Sequence, residues 1–232
     1  MSLNFYYITI RVVQMGEFKI TFTLNEPFGP LEKMAEKATT EGREYEYSNE
    51  SIIEMALSEY DVSIYCQGEK IFNATVNFNE FLYELLRFAF YAITGEVSKN
   101  VRSYGWSFKI PKELPNWLDN EVRILRGLLK NKFNKLASDL FLRSFLGSYD
   151  PTLVIYGFRE DEYIYLVSVD YRKVCRVPVK EFVKVAINVT DKAIQELESC
   201  TRIFEENGIK GYLKIINDYK ELLKNLKELS EE

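Results

Sequence analysis

The side chains that could do chemistry are few, and the first fact about them is an absence. No histidine occurs among the 232 residues. That excludes imidazole bases, Ser-His-Asp and Cys-His nucleophile pairs, and HExxH zinc sites. The three cysteines, Cys66, Cys175 and Cys200, are odd in number and widely spaced, with no CxxC. Such cysteines are expected to be free, buried thiols in a reducing cytosol. Paired carboxylates occur at Glu80 and Glu84, one helical turn apart, and in the run Glu160-Asp161-Glu162. The first pair includes a helix-capping position and the second suits a polar turn, so neither requires a catalytic role. Glu17-Phe18-Lys19 has the E-x-K spacing of metal-dependent nucleases, but no strand with a partner Asp stands before it. The eleven glycines form neither GxGxxG nor GxxxxGK[ST]. No catalytic residue, metal ligand or cofactor is therefore assigned.

Binding chemistry is better represented. Residues 121–135 hold five cations (Arg123, Arg126, Lys130, Lys132, Lys135) and one acid, in a chain of net charge −5. Arg123, Arg126 and Lys130 share one face of a helix, where they could track phosphates. Arg102 and Trp106 precede them and could add charge and base stacking. A solvated helix face that offsets acidic neighbours accounts for the same charges. The acidic segment 40–50 carries Tyr45 and Tyr47, which could grip a partner. Near the C-terminus, Tyr212, Ile216, Tyr219 and Leu223 recur at steps of four and three, a short seam that must be covered. The chain's own core is its expected cover, and a second copy is the alternative.

Elements of both kinds are needed to position these residues. Alternation predicts a hairpin over 5–13 and 18–24, with Phe18, Ile20, Phe22 and Leu24 on one face. A helix follows over about 30–39, with Leu31, Met34, Ala35 and Ala38 on one side, and 40–50 reads as a polar loop. Strands are expected at 52–57, 61–67 and 70–76, with a turn at Gly68-Glu69. A helix over 78–94 is capped by Asn77 with Glu80 and closed by Gly95. The same order recurs 101 residues later without a gap: strands at 153–158, 162–169 and 173–177, then a helix from Val179. Between the two lie a strand at 104–110 and a long helix from about 117–120 to 146. Its stripe is Val122, Leu125, Leu129, Phe133, Leu136 and Leu140. The second unit's helix is expected to reach 206, and a last helix spans 209–229.

The fold class is α+β: antiparallel β-meanders packed on helices, a βββα unit duplicated at 51–94 and 152–195, and a C-terminal helical hairpin. One compact unit with two pseudo-equivalent halves, about 1–98 and 101–232, is expected. The apolar window 81–94 is too short to span a bilayer and no leader is evident, so a cytoplasmic protein is expected. Three glutamines and abundant Lys, Glu and Ile lean toward a thermophile, against which 15 asparagines weigh. The functional expectation is a non-enzymatic protein-interaction or accessory subunit, able to self-associate. Nucleic-acid binding through 121–135 is the alternative, and a metal-dependent hydrolase or nuclease stands third.

Overall fold

The computed structural model describes residues 11–15, 18–24, 31–58, 60–96, 119–135, 141–143 and 154–231. Strands β1 (Arg11–Met15), β2 (Phe18–Leu24), β3 (Tyr60–Cys66) and β4 (Glu69–Val76) form an antiparallel sheet in chain order. A second sheet has the same order: β5 (Phe141–Arg143), β6 (Val154–Glu160), β7 (Tyr163–Ser168) and β8 (Lys173–Pro178). Helices α1 (Leu31–Glu44) and α2 (Asn49–Ala56) lie between β2 and β3, and α3 (Phe78–Thr94) follows the first sheet. Helix α4 (Asp119–Leu129) and a 3₁₀ helix (Lys130–Lys135) precede the second sheet. Helices α5 (Val179–Ser199), α6 (Thr201–Glu206) and α7 (Tyr212–Glu231) follow it. The α+β class and the C-terminal helices are as the sequence leads one to expect.

Period-two patterning sets the faces of the first sheet. Phe18, Ile20 and Phe22 are buried, as are Tyr60, Val62, Ile64 and Cys66 on the strand beside them. The opposite face is polar. There Lys19 and Lys70 lie over the Tyr65 ring at 5.1 and 5.6 Å, and Ser63 Oγ meets Asn73 Oδ1 at 2.7 Å. One buried face and one polar face is the usual state of an antiparallel sheet. The second sheet differs, because α4 covers its outer side: Leu125 and Leu129 pack on Tyr156, Phe158, Val167 and Val169.

Helix α3 is buried on every side, with 14 of its 17 residues inaccessible. Asn77 Oδ1 accepts from the Glu80 N–H at 3.2 Å, and Gly95 closes the helix at φ +75° with its N–H on Tyr91 O. Its first turn serves the first sheet, where Phe78 stacks on Tyr60 at 4.1 Å and touches Phe22 at 5.0 Å. Its last turns serve the second. Phe88 reaches Gly157 on β6, and Tyr91 Oη accepts from the Arg159 N–H at 3.1 Å. Helix α5 makes the reverse crossing: Glu181 Oε1 accepts from the Phe18 N–H at 3.0 Å, and Phe182 packs on Phe18. One apolar core therefore runs through both meanders.

Several sequence expectations are corrected. The supposed loop 40–50 is mostly helix, because α1 continues to Glu44 and α2 begins at Asn49. Its polar side chains occupy the outward side, while Thr39 and Gly42 face the core. The expected strand 52–57 falls in α2, where Ser48 Oγ accepts from the Ser51 N–H and Ile52, Ile53 and Ala56 share the buried side. A short apolar run carries no decisive period, and Glu, Met and Ala favour the helix. The long helix to 146 ends at Leu129, and residues 141–143 pair with β6 as a strand. Of its stripe, Leu125 and Leu129 are buried, and the remaining side chains lie outside the described residues. The β3–β4 hairpin turns at Gln67-Gly68, one residue earlier than expected, with φ +53° and +78°.

The gap-free repeat is corrected in the same region. Spacing of 101 residues holds from Val76 to Val177 and from Phe78 to Val179, but it fails upstream. Val76 pairs with Tyr60, whereas Val177 pairs with Ile164, because β8 is shorter than β4 and the longer β7–β8 turn only partly offsets this. Strand β6 has no counterpart at 52–57; its place in the first sheet is held by β2, with α1 and α2 inserted after it. The strand expected at 104–110 lies outside the described residues.

The free-thiol expectation also falls for two cysteines. Cys66 and Cys175 form a disulfide across 109 residues, with Cα atoms 6.0 Å apart, and Cys200 alone is free. Sequence spacing hid the pair because only the meeting of β3 with β8 brings them together.

Gly157 is the position on which this packing is least forgiving. A Cβ there would lie 2.2 Å from Phe88 Cζ, so the ring would have to shift. Gly157→Ala is expected to lower stability by about 1–3 kcal/mol in denaturant titrations, as overpacking does. Adding Phe88→Leu in the same chain should recover part of that loss, and strict additivity of the two changes would contradict the contact.

Candidate functional site

The tip of the α1–α2 hairpin gathers the most exposed aromatic surface among the described residues. Tyr45 and Tyr47 are 62% and 47% exposed, and their rings stack at 5.8 Å. Helix α1 positions them by its end: the Tyr45 N–H donates to Glu41 O and the Tyr47 N–H to Gly42 O. Glu46 adopts a left-handed φ of +54° between them. Glu44, Glu46 and Glu50 are exposed around the pair and Glu41 is half-exposed, so the tip is acidic. Its base is fixed. Arg43 Nη2 donates to Asn207 O at 2.9 Å, α1 lies against α6, and Gly42 leaves room for Ile52.

The other partner-facing expectation sits elsewhere. Tyr212, Ile216, Tyr219 and Leu223 are all buried in the chain's own core. Tyr212 Oη donates to Leu197 O at 2.8 Å, and its ring packs on Phe204. Tyr219 Oη donates to Asn79 O at 2.9 Å, and its ring lies 4.7 Å from Tyr83. The seam is covered by α3 and α5, so it offers no surface to a second copy. Its rim carries the ion pairs Lys220–Glu198 and Lys227–Asp191 between α7 and α5.

The basic stretch is divided by the fold. Arg123, Arg126 and Lys130 are exposed on the outer side of α4 and at the start of the 3₁₀ helix. Lys132 is spoken for: its Nζ pairs with Glu160, donates to Tyr165 Oη at 3.3 Å, and lies 4.4 Å over that ring. The bond to Glu160 holds the Lys132 ammonium above its ordinary range. This pair ties the acidic β6–β7 turn to the basic segment, which is the offsetting role the sequence allows. Arg102, Trp106 and the side chain of Lys135 lie outside the described residues.

The carboxylates separate by environment. Glu84 is buried and accepts from Arg87 Nε at 2.9 Å and Nη2 at 2.7 Å. Glu80 is half-buried, and its carboxyl is raised above the ordinary range by desolvation first, then by Glu54 and Glu84. Among the described residues, no three Cys, Asp or Glu side chains are grouped so as to hold a metal ion. Burial pushes the Cys200 thiol up to about 11, which leaves it protonated and a poor nucleophile at neutral pH. Among the described residues, no helix is long and apolar enough to cross a membrane.

Tyr45 and Tyr47 stand out in the sequence by type, but the anchor beneath them does not. Arg43 stood in plain view, yet its partner is 164 residues away, and nothing local signals that contact. The Glu84–Arg87 pair was legible as an i, i+3 spacing, although its burial was not. No protein-family model matches the chain, and no curated protein or solved structure matches it either.

The state of Glu80 makes stability depend on pH with a definite sign. A carboxyl raised in the folded state makes the native protein the better proton binder, so stability falls as pH rises through the folded value. Glu80→Gln keeps a residue suited to the third helical position and removes the charge. The variant should melt higher than the parent at pH 7, and the difference should close below the ordinary value of 4.5. Thermal melts over pH 4–8 check this; a variant less stable at pH 7 contradicts it.

Proposed function

We propose that the chain is a non-enzymatic protein-interaction or accessory subunit that holds a basic partner on the tip of its α1–α2 hairpin. The observation that carries this reading is the stacked, exposed pair Tyr45 and Tyr47 among Glu41, Glu44, Glu46 and Glu50. Tyrosine offers a large amphipathic contact area with only two side-chain torsions to fix. Carboxylates around it draw in Lys or Arg, whose cations also bind aromatic faces. A rigid base supports the same reading, because a preorganised tip loses less entropy on binding.

The cytoplasmic placement belongs to this proposal in a narrower form. Structural disulfides are rare in mesophile cytosol and common in the interior of hyperthermophiles. The Cys66–Cys175 bond therefore fits a cytoplasmic protein of a thermophile, toward which the composition leans, or else an oxidising compartment.

A second reading, nucleic-acid binding, draws on the exposure of Arg123 and Arg126 on α4 and of Lys130 at the start of the 3₁₀ helix. One set of measurements separates the two. Partners captured from the source cell are purified and titrated against the parent and a Tyr45→Ala/Tyr47→Ala variant. The interaction reading expects binding at least tenfold weaker in the variant, about 1.4 kcal/mol or more, with an unchanged melting temperature. Oligonucleotides titrated over a salt series provide the other arm. Affinity that falls steeply with salt and survives the tyrosine changes would favour the α4 surface instead.

A further inference from the structure

The two sheets meet directly at one end. Cys66 closes β3, Cys175 sits in β8, and both side chains are buried, at 7% and 3% exposure. Their strand partners are Phe18 on β2 and Leu166 on β7. Those two residues line an apolar cavity of about 20 Å³, roughly one water in size, between the sheets. Phe88, Ile155, Gly157 and Phe182 complete much of its wall. The disulfide thus stands at the edge of the space between the meanders. Close to it, Lys173 and Glu69 make a surface ion pair at 2.7 Å, which in solvent holds little by itself. Each sheet keeps its own hydrogen-bond ladder, and α7 is seated on α3 and α5 away from this end.

We propose that the Cys66–Cys175 bond is a redox clasp, whose reduction lets this end of the two sheets part while the rest of the fold stays closed. The reductant is a dithiol. One of its thiolates attacks a sulfur of the bond and forms a mixed disulfide, and its second thiolate then displaces the protein sulfur. Two electrons and two protons pass to the protein as two thiols, and the reductant leaves as its own disulfide. Burial of both sulfurs means that the attack waits on a brief local opening around the bond, so the clasp is reduced slowly under mild reductant. The clasp shares no element with the tyrosine tip, which lies on α1 and the turn after it.

The test compares oxidised protein, protein reduced with dithiothreitol, and a Cys66→Ser/Cys175→Ser variant. Breaking a bond that closes so long a loop is expected to lower the melting temperature by on the order of 10 °C. Hydrogen exchange in β2, β3 and β8 should speed by at least about tenfold, while α7 changes little, as local opening requires. Cys200→Ser should keep the full response to reductant. Three titratable thiols in protein purified without reductant and then denatured would overturn the clasp. So would an exchange map that stays the same in both reduced protein and variant, or one that quickens equally everywhere, α7 included.

Discussion

Everything in this molecule depends on a helix that has no outside. Helix α3 presents apolar or aromatic side chains in nearly every direction, so it is stable only if structure closes around it completely. One sheet cannot do that, because a sheet covers a single side of a helix. The first meander takes the N-terminal turn through Phe78, the second takes the C-terminal turns through Phe88 and Tyr91, and α5 and α7 cover the remainder. The interlocking of the halves follows from that demand. Helix α5 reaches back to Phe18 because the space beside α3 on the first sheet must be filled.

The same closure decides what is left for function. The α7 seam, whose expected cover is the chain's own core, is used up in packing on α5 and α3. Two pairs of buried polar residues are matched inside: Glu84 with Arg87, and Tyr219 with Asn79. Among the described residues, one element pair that stays outside also breaks the parallel between the sheets. The α1–α2 hairpin stands where the second meander has only a strand-to-strand connection, and it ends in two exposed tyrosines. An insertion held rigidly at its base and unsatisfied at its tip is the natural place for a partner to bind.

How much of this could be read beforehand varies with the range of the interaction. Local chemistry was legible: Asn77 and Gly95 bracket α3 as their types require, and Phe18, Ile20 and Phe22 announce their face by alternation. The run 52–57 satisfies either period, and the helix propensity of Glu54, Met55 and Ala56, with Ile52 packed against Gly42 of α1, decides for the helix. A helical reading of residues up to 146 failed for a related reason. Phe141 and its neighbours pair with β6, which no local pattern foretells. Least legible were the contacts between distant segments, the Cys66–Cys175 bond and Arg43 on Asn207. The tyrosine tip was legible as residues; its exposure and its footing were not.

The central claim is that α3 is the shared core of both meanders, and native-state hydrogen exchange tests it most directly. If the claim holds, amides in the middle of α3 exchange only through global unfolding. The slowest amides of β3 and β7 should then share the same opening free energy and the same denaturant dependence. Two distinct free energies, with one sheet exchanging by sub-global opening while α3 stays protected on the other, would contradict it.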